Sequence, residues 1–382
     1  MIPYGRQNIT QADIDAVTEV LQSDFLTQGP AVPAFEQRFC ELTTAAHAVA
    51  VNSATSALHI ACLALGAGPG TRVWTSPLSF VASANCARYC GADIDFVDVE
   101  PENGNIALDI LRQKLEQARS SDTLPQIVIP VHLAGASCDM QQIHYLAKEF
   151  GFAVIEDASH AVGASFQDEP VGSCRYSDIT VFSFHPVKII TTAEGGMALT
   201  NSAELADKMR LLRSHGISRD ETLMTEPSHG AWYYQQLLLG FNYRMTDLQA
   251  ALGLSQSRRL LPIIQKRQLL AANYDRLLQH LPLGLPQLDD DNISAWHLYI
   301  IRLHDKTKRK PVFDGLRKAG IGVNVHYIPI HTQPYYQQLG FDWGELPQAE
   351  DFYERIISLP MFPELTGEQQ QFIADTLAEL LA

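Results

Sequence analysis

The 382-residue chain has no hydrophobic run long enough to cross a membrane. A transmembrane helix needs roughly 18 or more consecutive apolar residues, and every apolar stretch here is interrupted before that length. The N-terminal segment MIPYGRQNIT has one basic residue and lacks the apolar centre of a secretory signal. We therefore expect a cytoplasmic protein without membrane attachment.

Positive charge is also scarce. The chain carries 28 Lys and Arg residues against 43 Asp and Glu residues, which gives a formal net charge of −15. Because such a surface repels phosphate backbones and anionic lipids, nucleic acids and membranes are poor partners for it. Hydrophobic residues make up 46% and charged residues 19% of the chain, as in a globular protein with a large core.

Paired cysteines are missing as well. The six Cys residues form no CxxC pair, and no Cys/His cluster has the spacing of a zinc site. We expect free thiols and no metal. A G-x-G-x-x-G loop after the first strand is also absent, which argues against a dinucleotide-binding protein.

Between about residues 45 and 200, short apolar runs alternate with amphipathic segments. Runs such as HAVAV, QIVIPVHL and AVIEDA are separated by stretches with the length and periodicity of helices, a pattern typical of βαβ units. The pattern predicts an α/β domain whose mostly parallel sheet is covered by helices on both faces.

An N-terminal helix precedes this block. Thr10 and Asp13 form a capping-box-like start to it. The apolar residues Ile14, Val17, Val20 and Leu21 share one face of this helix, and we expect the helix to pack on the main domain.

Beyond residue 200 the pattern predicts a smaller C-terminal unit. We expect a helix near 202–213, an irregular aromatic stretch, and one long helix from Thr246 to about Leu281 that links the two units. The remaining segments predict a strand at AWHLYIIRL, a helix that ends at Gly320, a strand at GVNVHYI and two terminal helices. We place the large domain at 1–250, and the linking helix with the small domain at 251–382.

Polar residues at strand ends are the first site candidates, because ligands bind beyond the carboxyl ends of the strands in an open parallel sheet. In VAVNSATSAL a strand is followed at once by Ser53, Ala54 and Thr55. Such a turn leaves backbone N–H groups and the positive end of a helix free to bind phosphate. A plain serine helix cap without a ligand is the alternative.

A second strand, in AVIEDASHA, ends in Asp157, and His160 follows three residues later. A carboxylate there can keep a ring nitrogen protonated, and the histidine can support it. An aspartate that caps the next turn, beside a histidine satisfied by backbone, fits the same pattern. Phe80, after the strand RVWTSP, can stack on an aromatic ring or can belong to the core.

Lys188 differs from the other eight lysines, which lie on amphipathic helices or in the charged turn at 306–310. A desolvated lysine favours its neutral amine, which can form a Schiff base with an aldehyde. A buried structural lysine would instead need a carboxylate partner, such as Glu194. These three features fit the cofactor pyridoxal phosphate (PLP), which needs a turn that binds its phosphate, an acid beside its ring nitrogen and a lysine for its aldehyde.

Six stretches, in this order, carry a family resemblance: LTQGPAVPAFE, NSATSAL, EDASHAVGA, FSFHPVKIITTAEGG, GFNYRMTDLQAALGL and VHYIPIH. Over nearly its whole length the chain resembles the DegT/DnrJ/EryC1/StrS sugar aminotransferases. The resemblance implies the aspartate aminotransferase-like fold of type I PLP enzymes, which is a three-layer α/β/α domain with a mostly parallel sheet and a smaller C-terminal α+β domain. Within the family, NSATSAL, LRSHGI and NVHYIPI look most like members of the pseudaminic acid pathway.

By this resemblance, Lys188 holds PLP covalently and is the catalytic residue. The other implied cofactor-binding positions are Ser53, Ala54, Thr55, Phe80, Asp157, His160, Ser183 and Asn242. Asn242 corresponds to a residue that reaches the cofactor phosphate of the neighbouring subunit, so a homodimer with composite sites is implied. His160 stands where glutamine is common in the family. The positions implied to contact the sugar nucleotide are Tyr4, Asp24, Phe25, Leu26, Thr27, Asn324, Val325, His326 and Tyr327.

The implied reaction has two halves. An amino group passes from L-glutamate to the cofactor, and then from the cofactor to C4 of a UDP-linked 4-keto-6-deoxy-N-acetyl hexose. Lys188 argues against the dehydratases of the family, which have histidine in its place. Two alternatives stay open: an aminotransferase for a dTDP sugar or for C3, and a PLP-binding regulatory member without turnover.

Overall fold

The computed structural model describes residues 1–289 and 291–382. The helices are α1 (Gln11–Leu21), α2 (Ala31–Thr43), α3 (Ala54–Ala64), α4 (Ala82–Tyr89), α5 (Leu108–Ser120), α6 (Met140–Phe150), α7 (Ala203–Arg213), α8 (Asp247–Ser257), α9 (Leu260–Leu278), α10 (Arg309–Lys318), α11 (Pro334–Gln337), α12 (Pro347–Arg355) and α13 (Gly367–Leu381). The strands are β1 (His47–Val51), β2 (Arg72–Thr75), β3 (Asp93–Phe96), β4 (Ile127–Ile129), β5 (Ala153–Asp157), β6 (Ser165–Phe166), β7 (Glu169–Pro170), β8 (Ile179–Ser183), β9 (Gly196–Thr200), β10 (Ile217–Ser218), β11 (Gln235–Gln236), β12 (Leu283–Gly284), β13 (Asn292–Ile293), β14 (Tyr299–Leu303) and β15 (Ile356–Leu359).

Seven strands form the central sheet, in the order β1-β9-β8-β5-β4-β2-β3. Strand β9 runs antiparallel to its neighbours β1 and β8, and the other pairings are parallel. The prediction of a mostly parallel sheet is therefore confirmed. Parallel pairing brings the carboxyl ends of β5 and β8 to one edge, and β1, which is antiparallel to β9 as β8 is, ends at the same edge, where the predicted site residues follow.

Both faces of the sheet are covered by helices, as predicted. Alternate residues of a strand point to opposite faces. Ile155 and Val181 pack in a cluster with residues of α3, α4 and α7, whereas Phe182 packs with α2 and α8 on the other face and Val154 with α5 and α6. The strands read as nearly continuous apolar runs because both of their faces are buried.

The C-terminal unit is built on the antiparallel sheet β12-β14-β15. Its apolar core joins this sheet to α9, α10 and α13. The predicted α+β character is confirmed, and β15 is a strand that the sequence pattern did not indicate. The domain division at 250/251 falls inside α8, which packs on α1 and α2, and it stays a prediction.

The single long helix predicted from Thr246 to Leu281 is wrong. The chain forms two helices, α8 and α9, which are separated by Arg258 and Arg259. Pro262 explains the break, because a proline ring within a continuous helix would clash with the carbonyl four residues earlier, that of Arg258. In the first turn of a new helix the proline is tolerated.

Two strand predictions in the C-terminal unit need correction. Strand β14 begins only at Tyr299, since Trp296 has a φ of 49° and cannot continue a strand. The segment GVNVHYI is not a strand. It pairs with β15 only at Asn324 and Ser358, and beyond that pair the side chains of His326 and Tyr327 contact Ser358 and His160.

Helix α1 starts with the predicted capping box and packs on the main domain against α8, as predicted. Ile14 is 51% and Leu21 57% exposed. The helix is attached through the buried carboxylate of Asp13, which accepts hydrogen bonds from Ser255 Oγ at 2.7 Å and Gln256 Nε2 at 2.9 Å and pairs with Arg259 at 2.7 Å. A polar network therefore holds α1 on α8.

All six cysteines are free thiols. Within residues 1–289 and 291–382, no helix is both long and apolar enough to span a bilayer.

We expect Asp13→Ala to lower the free energy of unfolding by about 3 kcal/mol, because it removes the acceptor of Ser255 Oγ and the carboxylate that Arg259 and Gln256 share. Chemical denaturation at fixed protein concentration measures this change. Asp15→Ala is the matched control: Asp15 is exposed on the same helix, and its loss should cost less than about 0.5 kcal/mol. Equal effects of the two variants would contradict the role assigned to the Asp13 network.

Candidate active site

Asp157 ends β5, and its carboxylate is held from two sides. Oδ2 accepts a hydrogen bond from Ser83 Oγ at 2.5 Å, and Oδ1 accepts from Ser159 Oγ at 2.5 Å and from the Ser159 backbone at 3.2 Å. The side chain is buried. Ser83 belongs to α4, so this helix fixes the orientation of an acid on a different element. Sequence reasoning missed Ser83 and Ser159, although Ser159 lies within the EDASHA motif.

Lys188 lies in the loop between β8 and β9, close to Asp157. Burial lowers the pKa of Lys188 to about 8, and the negative charge of Asp157 acts in the opposite direction. The structure thus brings together the two residues on which the sequence argument depends. Glu194, the alternative partner, is exposed and lies 4.0 Å from His185 Nε2, so the reading of Lys188 as half of a structural ion pair with Glu194 is wrong.

Three buried histidines surround this amine: His160, His297 and His326. Burial and the positive charge of Lys188 lower the pKa of His326 to about 4. Burial also places the pKa values of His160 and His297 well below the usual value, with further repulsion from Lys188. The imidazoles are therefore neutral at pH 7, and the cation in the pocket is Lys188 itself.

His160 joins the cofactor-binding and substrate-binding predictions. Its Nε2 lies 3.0 Å from the hydroxyl of Tyr327, and its ring centroid lies 4.4 Å from that of His297. Its Nδ1 is buried without a hydrogen-bond partner among the described residues. His297 was not predicted, and its WHLY context was read only as a strand.

The predicted phosphate turn lies at the start of α3. Ser53 Oγ accepts a hydrogen bond from Ser56 N at 3.1 Å, so Ser53 is a helix cap. This does not exclude anion binding, because the N–H groups of Ala54 and Thr55 lie in the first turn, where no intrahelical acceptor exists. Gly196 approaches so closely that a Cβ there would lie 2.5 Å from Ala54 N.

Ser183 ends β8 and pairs with Gly196 in β9. The antiparallel strand β9 therefore places Ser183 beside the turn at Ser53 and Ala54. Phe80, in contrast, lies just before α4 and is 60% exposed. The alternative that Phe80 is a core residue is wrong.

The predicted sugar-nucleotide positions fall into two groups. Tyr4 packs on His326, with ring centroids 5.7 Å apart, and this group includes Tyr327 and the segment from Asn324. The second group, Asp24–Thr27, lies against the start of α8, where Thr27 bridges Thr246 and the Leu26 carbonyl accepts from Asp247 N at 3.0 Å. Within residues 1–289 and 291–382, no hydrogen bond, ion pair or ring contact joins the two groups directly.

Asn242 is exposed, and its backbone lies beside the phosphate turn of its own chain. Its carbonyl is 3.5 Å from Asn52 Nδ2, and Asn52 N donates to the Tyr243 carbonyl at 2.8 Å. The prediction that its side chain serves the neighbouring subunit concerns a second chain and stays a prediction.

These residues fit the chemical parts of PLP. A desolvated amine, a fixed carboxylate and a helix N-terminus that can receive phosphate lie at one edge of the sheet, and the Nδ1 of His160, unpartnered among the described residues, is available to a polar group of the ring.

The profile of the DegT/DnrJ/EryC1/StrS aminotransferase family matches residues 7–378. The chain belongs to this family. The family resemblance and the aspartate aminotransferase-like fold predicted from the sequence are both confirmed, the fold by solved structures of family members at high TM-scores.

Two curated relatives match this family member over all of its length. It is 40% identical to a spore coat polysaccharide biosynthesis protein, SpsC, of Bacillus subtilis, covering 97% of that protein. It is 39% identical to a UDP-4-amino-4,6-dideoxy-N-acetyl-beta-L-altrosamine transaminase of Campylobacter jejuni, covering 98% of that enzyme.

Two solved structures are similar as well. Helicobacter pylori PseC, an aminotransferase of pseudaminic acid biosynthesis, superimposes with a TM-score of 0.91 at 35% identity, covering 100% of this chain and 99% of PseC. A putative sugar aminotransferase of Streptococcus pneumoniae in its PLP form has a TM-score of 0.89 at 30% identity, covering 99% of this chain and 98% of the other.

We expect Asp157→Asn to lower the pKa of Lys188 below the wild-type value of about 8, because it removes the negative charge that opposes the effect of burial. Trace labelling of the apoprotein with acetic anhydride across a pH series, read by mass spectrometry of the Lys188 peptide, measures this pKa. Glu194→Gln is the control on the same loop and should leave the midpoint unchanged. A midpoint that stays or rises in Asp157→Asn would contradict the assigned pairing.

Proposed function

We propose that this aminotransferase binds PLP through Lys188 and transfers an amino group from L-glutamate to C4 of a UDP-linked 4-keto-6-deoxy-N-acetyl hexose in pseudaminic acid biosynthesis. The observation that carries the chemistry is the partly buried Lys188, whose amine is desolvated and lies beside the fixed carboxylate of Asp157. The similarity to the C. jejuni transaminase and to H. pylori PseC supports the choice of sugar.

PLP, when bound, supplies an aldehyde that accepts amines and a ring that withdraws electrons. Asp157, fixed by Ser83 and Ser159, is the acceptor that holds a proton on the pyridine nitrogen. The turn at Ser53, Ala54 and Thr55 receives the phosphate through N–H groups at the start of α3.

Lys188 moves the proton. With a pKa of about 8, its Nζ exchanges a proton readily near neutral pH, which is the property required of a general acid–base group. The histidines around Lys188 are neutral at pH 7, so they add neither a positive nor a negative charge beside its amine. Tyr327 keeps its proton, because burial, the charge of Asp157 and the nearby Tyr4 raise the pKa of its hydroxyl, so it can orient a substrate by hydrogen bonding.

Tyr4, the segment from Asn324 to Tyr327 and the segment Asp24–Thr27 are proposed to bind the sugar nucleotide. The first two share one wall of the pocket, which supports their assignment to a common ligand. Asp24–Thr27 lies on the large domain near α8, and its half-exposed Phe25 and Leu26 are proposed to complete the site in a homodimer.

Mass spectrometry of the products formed from a panel of UDP- and dTDP-linked 4-keto and 3-keto sugars with L-glutamate tests this function. We expect amination of the UDP-linked 4-keto-6-deoxy-N-acetyl sugar at C4. Lys188→Ala should lower the rate by more than about 1,000-fold and prevent borohydride from fixing PLP to the peptide of residues 176–208. Lys148→Ala, an exposed lysine on α6, should match the wild type.

Preferential amination of a dTDP-linked sugar, or of C3, would contradict the proposed substrate and favour another sugar aminotransferase of the family. PLP binding without any product would favour a regulatory member without turnover. Wild-type turnover by Lys188→Ala would refute the mechanism.

Mixing Lys188→Ala subunits with Asn242→Ala subunits tests the proposed composite sites. In a mixed dimer one site receives an intact Lys188 from one subunit and an intact Asn242 from the other. With random exchange half of the dimers are mixed, so about a quarter of the wild-type activity should return. If activity in the mixture does not exceed the average of the two separate variants, Asn242 does not act across the interface.

A further inference from the structure

A buried histidine and a buried glutamate lie next to Asp157 in the central sheet. His132 follows β4 and is fully buried, and Glu156 precedes Asp157 in β5 and is 5% exposed. His132 Nε2 lies 2.8 Å from Glu156 Oε2. No step of the proposed reaction uses either side chain, and a polar pair is costly to bury, so its presence here needs a separate explanation.

The proton of this hydrogen bond comes from His132. The backbone N–H of Cys138 donates to His132 Nδ1 at 3.2 Å, so a neutral imidazole in this position carries its proton on Nε2. Although burial lowers it, the side chains of Cys138 and Glu156 raise the pKa of His132, and an imidazolium has a proton on Nε2 as well. In both states of the ring, Nε2 therefore donates to Glu156.

Glu156 is also held by its other oxygen. Oε1 accepts hydrogen bonds from Ser177 Oγ and from Thr180 Oγ1, the latter at 2.8 Å. Thr180 is the residue of β8 that pairs with Glu156. Burial raises the pKa of Glu156, but the hydrogen bonds that it accepts, first the one from His132, lower it below the usual value. Three donors thus fix this carboxylate.

The backbone of Asp157 is tied to the same segment. His132 N donates to the Asp157 carbonyl at 3.1 Å, and Asp157 N donates to the Pro130 carbonyl at 2.9 Å. His132 therefore holds β5 at two points, the main chain of residue 157 and the side chain of residue 156. Because adjacent side chains of a strand point to opposite faces, a twist of the strand that turned Asp157 away from Lys188 would also pull Glu156 away from His132.

We propose that His132 and Glu156 are positioning residues, which set the place of the Asp157 carboxylate relative to the amine of Lys188 from the opposite face of the sheet. The two serine hydroxyls that bind the Asp157 oxygens fix the carboxylate group itself, whereas the pair fixes the strand end that carries it. The inference rests on the proposed role of Asp157 toward PLP. Its test needs no PLP, sugar or amino donor, so a failure to find amination would leave the outcome of this test unaffected.

The ring of His132 has a second task, which the test must separate from the first. The hydrogen bond from Cys138 N to Nδ1 closes the loop that follows β4. Two carbonyls of this loop accept hydrogen bonds from the backbone on either side of His297, at Ala295 and Leu298. Nδ1 therefore serves this loop, and Nε2 serves the strand that carries the acid.

Two substitutions separate the two ring nitrogens. The amide of asparagine reaches the position of Nδ1, and that of glutamine the position of Nε2, because the atoms are the same number of bonds from Cβ. His132→Gln therefore keeps a donor to Glu156 and loses the acceptor of Cys138, whereas His132→Asn keeps the acceptor and loses the donor. Each variant loses one buried hydrogen bond, so both should lower the stability measured by chemical denaturation.

Trace labelling of Lys188 with acetic anhydride in the full-length apoprotein is the first measurement. In His132→Asn we expect the Lys188 midpoint to fall at least halfway from the wild-type value toward that of Asp157→Asn, because a displaced carboxylate opposes the effect of burial less. His132→Gln should keep the wild-type midpoint. Glu156→Gln should keep it too, since an amide can accept from His132 and donate to the two hydroxyls, and a fall there would mean that the charge acts rather than the hydrogen bond.

Hydrogen exchange of the apoprotein, resolved to single amides by fragmentation in the mass spectrometer, is the second measurement. The amides of His132, Asp157 and Ser159 donate within the strand end or to its carboxylate. They should exchange about 10-fold faster in His132→Asn than in His132→Gln. The amides of β1 should exchange equally in the two variants, because neither substitution touches that strand.

His331→Asn is the matched control, because His331 is also fully buried and its Nε2 lies 3.0 Å from Glu350 Oε1. It should lower the stability and leave the Lys188 midpoint and the exchange of β5 unchanged. Should His132→Asn fail to fold, Glu156→Met removes the same hydrogen bond from the acceptor side and should give the same two changes. A folded His132→Asn with the wild-type midpoint and exchange, equal changes in His132→Gln, or a lower midpoint in Glu156→Gln would each overturn the proposal.

Discussion

Burial of an amine beside a carboxylate is the constraint on which this site depends. Lys188 must be dry enough to lose its proton near neutral pH, yet Asp157 must keep its charge a short distance away, and that charge favours the protonated amine. In the structure both demands are met, because the two carboxylate oxygens of Asp157 accept hydrogen bonds from the hydroxyls of Ser83 and Ser159. The carboxylate is thus stabilised by neutral donors, and no second cation enters the pocket.

The sheet explains why residues so far apart in sequence meet. Because β5 and β8 are parallel neighbours, their carboxyl ends deliver Asp157 and Ser183 to one edge, and β1 leads into the turn at Ser53 from the same edge. The antiparallel strand β9 returns the chain between β1 and β8, and Gly196 at its start allows the backbone to pass directly beneath that turn. A side chain at 196 would push the start of α3 away.

Ser53, Asp157 and Lys188 could be found from the sequence because each follows an apolar run, whereas Ser183 was implied only by the family resemblance. Ser83 and His297 could not be found from the sequence. Ser83 lies in α4, whose helical pattern accounts for it, and His297 lies just before β14, in a segment that the sequence pattern assigned to a strand, so only the fold brings the two to the site. The helix break could have been predicted from the sequence, because Pro262 lies within the segment that was predicted as one continuous helix. The packing of α1 on the domain was predicted, but the buried Asp13 that holds it there was not, because the hydrophobic pattern assigns weight only to apolar residues.

The buried guanidinium of Arg267 connects the C-terminal unit to this pocket. From α9 its Nη1 donates to the carbonyls of Trp296 at 2.8 Å, His297 at 3.3 Å and Met361 at 3.2 Å, and Met361 N in turn donates to the Tyr4 carbonyl at 2.9 Å. A rotation of α9 about its axis would leave the charged guanidinium of Arg267 buried without these carbonyl acceptors, which is energetically costly. A movement of α9 that kept these hydrogen bonds would therefore displace His297 and Tyr4 together, so the arrangement of these two residues depends on where α9 lies.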